Sequence, residues 1–376
     1  FFLYFIETIG SRWKSFAWWV VGAFSAVGVF GIVNLAEHNR KLVETTINLM
    51  SLIAIPIFLV MLFVPLRSLG RDHTILRAGF LVFMLFALYT NLVNASVLPG
   101  NKDLEFIGFV FLLGTLGYVA ASRAQRNEER LLSLNKEMEI ARGIQAGLLP
   151  EKNFTVAGLA TASRYVPASS VAGDFYDFLP KNGGLGVLIA DVSGHGVPAA
   201  LSASMVKVAI RAQRDWAENP AQVLTGLNSI LCGNLQGQFV TAGYLFLDPG
   251  RGALAYAGAG HPPLLVWRAR EAKVESIEEN GLMLGIFPEG TYKSLIRTLN
   301  AGDRFVLYTD GITEAPSASG EEFGMERLKD FLEQHAAQPT QELCDGLIRH
   351  VAAWCGSSTR EQHDDLTLIV IDYKAA

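Results

Sequence analysis

The apolar and polar positions divide the chain into an almost continuously apolar first third and a mixed remainder. In the first part, four apolar runs are each about as long as a helix that crosses a bilayer. They are residues 16–33, 47–66, 78–98 and 106–122. Short polar segments connect them, so the pattern predicts four membrane-spanning helices with both ends on one side. Because the chain starts at Phe1 and not at Met, we take four as a lower bound.

The next segment, residues 123–152, has the pattern of a helical linker. Neither Gly nor Pro interrupts residues 122–142, and Pro150 is expected to end the helix. Its apolar side chains follow a short heptad pattern: Leu131, Leu134, Met138, Ala141 and Leu148, with Gln145 interrupting the seam. Two structures fit equally well, and they are compatible. One is a helix packed on the following domain, and the other is a parallel two-stranded coil that joins two copies of the chain.

From Ala160 onward, short β-rich runs alternate with turns and with helical patterns. The runs on either side of "DPGRG" predict a hairpin between residues 244–247 and 253–256. Strands joined in this way favour antiparallel sheets covered by helices, and the predicted fold class is α+β. No predicted strand is followed by GxGxxG or a P-loop, so a nucleotide-cradling loop is not expected.

Charge indicates where each part of the chain lies. Lys and Arg are concentrated before the first apolar run, between the second and third, and after the fourth. The side richer in Lys and Arg is expected to be cytoplasmic, so everything after Ser122 is expected there. Residues 1–122 hold 8 Lys and Arg against 6 Asp and Glu, whereas the rest of the chain holds 23 against 30. The acidic second part argues against a nucleic-acid partner.

Aspartates at the edges of apolar strands are the candidate chemical groups: Asp174, Asp191, Asp310 and Asp364. A single such Asp is most often a turn former or a helix cap. Four of them at strand ends suit a hard cation such as Mg2+ or Mn2+ better. A zinc site is not expected, because the three cysteines of the chain form no CxxC pair.

Several short sequences resemble the metal-dependent serine/threonine phosphatases of the protein phosphatase 2C superfamily (PPM), and more narrowly the bacterial SpoIIE/RsbU-type branch. They are "GDFYDF", "ADVSGHGVPAALSASM", "FVTAGYLFLD", "YAGAGHPPLL", "YTDGITEA" and "DDLTLIV", in that order. "EIARGIQAGLLP" also resembles the helix that enters these domains. The resemblance covers residues 138–372, and as a set the motifs are specific.

The resemblance implies an α-β-β-α sandwich with two Mn2+ or Mg2+ ions in a cleft at one end of the sheets. Carried over by motif, Asp191 would bridge both ions, and the backbone carbonyl of Val192 would join it on one of them. Asp310 and Asp364 would hold the other ion. Asp174 would bind the ion that the Val192 carbonyl also binds, directly or through water.

Other polar residues near these motifs are expected to support the site. By the resemblance, Asp177, Asp365 and Thr309 would lie behind the ligands or be structural. Arg164 is a distant candidate for holding phosphate, and a surface strand position is the preferred interpretation. The sequence departs from the branch in two places, because Ala172 stands where Gly is usual and Gly258 where Asn is usual. Neither position is a metal ligand, but both could change the geometry of a loop.

Three histidines lie in or beside the motifs. His195 could act as an acid, although a structural role at the turn before the next helix is preferred. His261 is also more often structural in such a turn. His363 adjoins Asp364 and could tune the site, which is the least favoured role of the three.

The resemblance implies a phosphoserine/phosphothreonine protein phosphatase, whereas the apolar runs and the Lys and Arg pattern predict that it is anchored in the bacterial inner membrane, multi-pass, with a cytoplasmic catalytic domain. The expected domains are 1–122 (membrane helices), 123–152 (linker) and 153–376 (phosphatase). The expected partners are a phosphorylated anti-sigma-factor antagonist of STAS type and a second copy bound through the linker. Two alternatives stay open: a catalytically silent receptor that binds a phosphoprotein, and a phosphohydrolase of small molecules.

Overall fold

The computed structural model describes residues 71–101, 104–150, 155–156, 158–356 and 364–374. The first two predicted membrane helices, residues 16–33 and 47–66, lie outside these ranges. The chain divides into two compact units, Phe1–Ser133 and Leu134–Ala376, and this division falls inside the predicted linker. Each unit is described by itself.

Two long helices form the described part of the first unit: α1, Arg71–Asn94, and the beginning of α2, Glu105–Leu148. Each is long and apolar enough to cross a membrane. The predicted third span was too long at its end, because α1 stops at Asn94 while the apolar run continues to Leu98. The helix is closed at Ser96, which takes a left-handed backbone conformation (φ 59°), while the Val97 N–H donates to the Leu92 carbonyl at 3.0 Å.

Ion pairs join the beginning of α1 to the middle of α2. The Arg123 Nε and Arg126 Nη2 groups donate to the two carboxylate oxygens of Asp72, at 2.9 and 2.6 Å. The basic ends of the two apolar segments therefore lie on the same side. This is the arrangement that the charge pattern predicts for the third and fourth runs.

The C-terminal part of α2 belongs to the second unit and packs against it on one face. Met138, Ala141 and Leu148 are half-buried and Gln145 is buried, whereas Leu134 is exposed. The prediction of an amphipathic helix packed on the following domain is confirmed for this stretch. Gln145, which interrupts the apolar seam, is the most deeply buried of these residues.

Two antiparallel sheets form the centre of the second unit. The strands are β1 Thr155–Val156, β2 Leu159–Val166, β3 Phe175–Lys181, β4 Gly184–Val192, β5 Val240–Asp248, β6 Ala253–Ala259, β7 Leu264–Arg268, β8 Lys273–Ile277, β9 Asn280–Gly281, β10 Leu295–Thr298, β11 Arg304–Tyr308 and β12 Leu366–Tyr373. One sheet has the order β1-β2-β12-β11-β7-β8, and the other has β10-β6-β5-β4-β3 with β9 beside β6. The predicted hairpin is confirmed, with Leu247 opposite Leu254.

Helices cover the outer faces of both sheets. They are α3 Val197–Ala212, α4 Pro220–Leu231, α5 Asp310–Thr313, α6 Gly324–Gln334 and α7 Thr340–Trp354. Asn219 caps α4, because its side-chain oxygen accepts a hydrogen bond from the Gln222 N–H and Pro220 occupies the first turn. Helical patterns in the sequence overlap all four of the longer helices, at residues 198–216, 221–235, 326–335 and 340–355.

Three apolar layers hold this arrangement together. One lies between α3, α4 and the second sheet, one lies between the sheets, and one lies between the first sheet and α6 and α7. Successive side chains of a strand point to opposite faces of its sheet, so one strand contributes to two layers. On β12, Leu368 and Val370 face the helices, while Ile369 and Ile371 face the opposite sheet. The predicted α-β-β-α sandwich is confirmed.

Candidate functional site

The predicted acidic residues come from both sheets and meet at one end of the sandwich. Asp174 immediately precedes β3, and the pairing of Phe175 with Ala190 places it beside Asp191 on β4. Asp310 follows β11 and Asp364 precedes β12, which is paired with β11. Each sheet therefore contributes two of the four predicted carboxylates.

Asp174 is buried and is fixed by two hydroxyl groups from the opposite sheet. One of its oxygens, Oδ2, accepts hydrogen bonds from Thr309 Oγ1 at 2.8 Å and from Thr367 Oγ1 at 2.5 Å. The Thr367 N–H in turn donates to Thr309 Oγ1 at 3.0 Å. Burial and the charge of Asp191 raise the pKa of Asp174 well above its usual range, although the two hydroxyl donors oppose the shift. Thr309 therefore lies directly behind one of the predicted ligands.

Asp191 is surrounded by other carboxylates. Burial, followed by the negative charges of Asp310, Asp364 and Asp365, raises the pKa of Asp191 to about 7. Asp174 lies within hydrogen-bonding reach of the same group. The pKa of Asp310 is also raised, by burial and then by the charge of Asp364. Among the predicted acids, Asp191 therefore occupies the centre of the cluster.

Asp365 orders the loop that carries Asp174. Its two oxygens accept hydrogen bonds from the Ala168 N–H at 2.8 Å and the Gly173 N–H at 2.7 Å. Gly173 has no room for a side chain, since a Cβ there would lie 2.7 Å from the Val192 carbonyl oxygen. The predicted ligand carbonyl of Val192 and the backbone before Asp174 are therefore in direct contact.

Glycine allows a second close approach on the opposite sheet. A Cβ on Gly311 would clash with the carbonyl oxygen of Asp365. The turn after Asp310 can consequently lie directly against the segment that holds Asp364. The sequence motif "TDG" gives the signal, because only glycine leaves the space that this contact needs.

Glu314 is a carboxylate near this site that the sequence did not single out. It follows the last residue of α5, and partial loss of hydration, followed by the charge of Asp310, raises its pKa. Its position four residues after Asp310, one helical turn away, is the signal that could have identified it.

Asp177 does not belong to the cluster. Its side chain is fully buried and accepts hydrogen bonds from Lys207 Nζ at 3.0 Å and from Arg211 Nε and Nη2 at 2.9 and 2.8 Å. Both cations lie on α3, so this ion pair fastens α3 to β3. The structural role that the resemblance implies fits these contacts.

The cluster fits a hard divalent cation in its chemistry. Its donors are carboxylate and carbonyl oxygens, and the strongest Coulomb effects on Asp191 come from other negative charges. Within the described ranges, however, no three Asp, Glu, His or Cys side chains already stand in a geometry that would hold a metal ion. The carboxylates are neighbours without forming a closed coordination shell.

The histidines of the motifs have different positions. His195 is exposed in the turn before α3. His261 is buried, its Nδ1 lies 3.1 Å from Thr241 Oγ1, and burial lowers its pKa to about 3. A histidine in that state stays neutral at physiological pH, which suits the structural interpretation. His363 lies outside the described residues.

The two departures from the branch have local compensations. A Cβ on Gly258 would lie 2.7 Å from Asn280 Oδ1, so Asn280 occupies the space beside it. Asn280 Nδ2 donates to the His261 carbonyl at 2.9 Å, and its Oδ1 accepts from the His261 N–H at 3.3 Å. Ala172 exchanges two hydrogen bonds with Gln145, at 2.7 and 3.0 Å.

Arg164 is engaged away from the carboxylates. Its Nε donates to Asp345 Oδ1 at 2.5 Å, which links β2 to α7 on the outer face of the first sheet. The preferred interpretation of Arg164 as a surface strand residue agrees with this contact.

Replacing Asp191 should have a pH-dependent effect on stability. Because the folded-state pKa of Asp191 is raised to about 7, its charge destabilises the metal-free fold above pH 7. The penalty disappears as the group becomes protonated between pH 7 and about 4, its usual unfolded pKa. We expect Asp191→Asn to stabilise the metal-free chain most at pH 8 and much less at pH 5.

Thermal unfolding of both chains in EDTA across this range measures the difference. Comparing the variant with the wild type removes the contributions of titrating groups that do not interact with Asp191, such as His261. An Asp191→Asn effect that is equal at pH 5 and pH 8 would contradict the prediction.

Comparisons with known proteins agree with this architecture. The family model described as stage II sporulation protein E (SpoIIE) matches residues 181–374. Phosphoserine phosphatase RsbU of Bacillus subtilis is 32% identical over 244 residues, which are 64% of this chain and 71% of that protein. Phosphoserine phosphatase RsbP of the same organism is 27% identical over 252 residues, which are 65% of this chain and 59% of that protein.

A solved structure has the same fold. The SiaA-PP2C domain of Pseudomonas aeruginosa superposes with a TM-score of 0.58 at 25% identity, covering 65% of this chain and 99% of that one. The family match spans most of the strands described above and includes Asp191, Asp310 and Asp364. This chain belongs to the SpoIIE family and is a phosphatase of the PP2C type.

Proposed function

We propose that the chain is a membrane-anchored, metal-dependent protein phosphatase that removes phosphate from serine or threonine of a small regulatory protein. The observation that carries this proposal is the cluster of carboxylates around Asp191, supplied by both sheets at one end of the sandwich. Without bound cations, the repulsion between so many neighbouring carboxylates would lower the stability of the fold.

The residues that would hold two Mn2+ or Mg2+ ions are Asp174, Asp191, Asp310 and Asp364, with the carbonyl of Val192. Such ions would supply charge neutralisation for the phosphoryl oxygens and an acidified water as the nucleophile. Hydrolysis of this kind requires no nucleophilic Cys or Ser. The assignment of individual ligands is part of the proposal.

The chain's own residues prepare this end of the sandwich for an anionic substrate. Thr309 and Thr367 fix Asp174 from the opposite sheet, and Asp365 fixes the loop before it through two backbone N–H groups. Fixed donors and acceptors of this kind need no rearrangement during the reaction. The exposed position of His195 leaves it free to face an incoming protein surface.

The proposed substrate is a phosphorylated anti-sigma-factor antagonist of STAS type. Two relatives are named phosphoserine phosphatases, which supports serine as the phosphorylated residue. Dephosphorylation would allow the antagonist to capture its kinase and release a sigma factor. The silent-receptor alternative is less favoured, because all four predicted acids are present and gathered at one end of the sheets.

The proposed location is the bacterial inner membrane, multi-pass, with the catalytic domain in the cytoplasm. Two helices of the described ranges are candidates for crossing a membrane. Large apolar side chains at the beginning of α2 are exposed, with 70% of Phe106 and 49% of Phe111 accessible. A surface of this type suits contact with lipid.

A comparison of substrates separates protein phosphatase activity from hydrolysis of small molecules. We expect the full chain to release phosphate from a phosphoserine STAS domain far faster than from small phosphate esters at equal concentration. Phosphate release from each, with Mn2+ present, is the measurement. Equal or faster hydrolysis of the small esters would favour the small-molecule alternative.

We also propose that the linker helices of two copies pair and transmit a state of the membrane unit to the site. Gln145 is the contact through which this can occur, because it is buried on α2 and exchanges two hydrogen bonds with Ala172, two residues before Asp174. Movement of α2 would therefore move the backbone that positions Asp174.

Replacing Gln145 should uncouple the site from the linker. We expect Gln145→Ala in the full chain to have the activity of a fragment that begins at Asn153, because both lack the bonds to Ala172. Gln125→Ala is the matched control, since Gln125 is exposed and bonds only with Glu129 of its own helix among the described contacts. The measurement is phosphate release by the full chain, by its Gln145→Ala and Gln125→Ala variants, and by the fragment. A fragment as active and as regulated as the full chain would contradict transmission through α2.

A further inference from the structure

The hydroxyl group of Tyr165 is buried without a hydrogen-bond partner among the described residues. An unpaired buried hydroxyl is unfavourable, so each one in a native structure needs an explanation. Tyr165 lies on β2, the strand that precedes the loop carrying Asp174, and its side chain is half-buried.

The register of the sheet places the Tyr165 side chain on the face that bears the site. Tyr165 is paired directly with Thr367 across β2 and β12, and paired residues project to the same face. Thr367 donates to Asp174, and the Tyr165 ring packs against the apolar layer between the sheets. The ring is therefore the cross-strand neighbour of a residue that binds Asp174.

Two carboxylates of the site are close enough to act on the Tyr165 hydroxyl. Burial, followed by the charges of Asp365 and Asp174, raises the pKa of the Tyr165 hydroxyl, which consequently stays protonated. A protonated phenol can donate one hydrogen bond. Asp174 Oδ2 already accepts two hydrogen bonds, and both oxygens of Asp365 accept backbone N–H groups.

We infer that Tyr165 is a further positioning residue of this site, whose hydroxyl donates a hydrogen bond to a water oxygen held among the carboxylates beside Asp174. The inference rests on the proposed metal-dependent function. Mg2+ and Mn2+ bind through water as well as through carboxylates, so a donor that fixes such a water stabilises the bound cation. No motif quoted for the family resemblance contains Tyr165.

Mn2+ binding to the full chain in detergent, followed by calorimetry without substrate, tests this role. Tyr165→Phe removes only the hydroxyl, and we expect it to weaken Mn2+ affinity about tenfold, the usual size of such an outer-shell loss. The thermal unfolding of the metal-free chain should be unchanged or higher, because an unpaired buried hydroxyl has been removed. A purely structural role would change the unfolding and leave the Mn2+ affinity unaltered.

Tyr292→Phe is the matched control. Its hydroxyl is also buried without a partner among the described residues, but the ring packs in the layer between the second sheet and its helices. We expect Tyr292→Phe to bind Mn2+ as the wild type does. Equal Mn2+ affinity in the wild type and Tyr165→Phe, or an equal loss in Tyr292→Phe, overturns the inference. A wild-type chain that binds no Mn2+ overturns the proposed function as well.

A second measurement covers the case in which Tyr165→Phe does not fold. A 3-fluorotyrosine placed at position 165 keeps both the ring and the hydroxyl, and its 19F resonance should shift when Mg2+ is added. The same label at position 292 should not respond. A label at position 165 that is insensitive to Mg2+ overturns the inference.

Discussion

Asp191→Asn is expected to lower kcat for phosphate release by about a thousandfold, the size of loss found when a fixed electrostatic group of a reaction centre is removed. The reason is its central position, since Asp174 lies within hydrogen-bonding reach and the charges of Asp310 and Asp364 act on it. Removing this carboxylate should disturb both proposed cation positions together. Steady-state phosphate release with saturating Mn2+ is the measurement.

A loss of folding cannot explain such a result if the metal-free variant is at least as stable as the wild type. At pH 8 we expect Asp191→Asn to raise the free energy of unfolding in EDTA, because it removes a buried charge whose pKa is raised to about 7 by burial and by neighbouring carboxylates. Asp215→Asn is the control, because the Asp215 side chain is 99% exposed. Retained activity in Asp191→Asn would show that the cluster is not the reaction centre.

Asp177→Ala should be among the most destabilising single substitutions in the second unit. It leaves Lys207 and Arg211 without the carboxylate that they share and removes the acceptor of the Phe178 N–H, which donates at 2.9 Å. Removing this buried acceptor should cost roughly 2–4 kcal/mol, less than breaking a fully buried ion pair, because 48% of the Arg211 side chain is exposed to water. In a unit of this size, that cost corresponds to a Tm lower by roughly 10 °C.

Thermal unfolding of the full chain measures this effect, with the loss of the β-sheet signal of the second unit as the readout. Asp215→Ala is the matched aspartate control, because its ion pair with Lys181 spans 3.8 Å and its side chain is exposed. We expect that variant to stay within about 0.5 kcal/mol of the wild type. An Asp177→Ala chain as stable as the wild type would contradict the prediction. It would mean that water solvates Lys207 and Arg211 as well as the carboxylate does.

The fold of the second unit was largely predictable from local patterns. Short β-rich apolar runs indicated the strands, and the turn "DPGRG" indicated the hairpin between β5 and β6, because these signals depend on neighbouring residues only. The end of α1 was placed too late. The apolar run to Leu98 continued past Asn94, but the chain turns into a left-handed conformation at Ser96, and hydropathy does not detect such a turn.

The acids at the strand ends were also predictable, whereas their supports were not. Thr367 has the pattern of an ordinary strand residue, and its hydrogen-bond acceptor Asp174 lies 193 positions away. Asn280 could not be assigned to the space beside Gly258 without the pairing of β6 with β9. Gln145 looked like an interruption of a heptad seam, and only its contact with Ala172 gives it a role. Contacts between distant segments are not encoded in local periodicity.

The central claim is metal-dependent hydrolysis of a phosphorylated protein by this carboxylate cluster. Its most direct test is phosphate release from a phosphoserine STAS-type protein by the full chain with Mn2+, with Mg2+ and with EDTA. We expect release with at least one of the two ions, loss of release in EDTA, and recovery when excess Mn2+ is restored. Release that continues unchanged in EDTA, or no release from a chain that binds Mn2+, would contradict the claim.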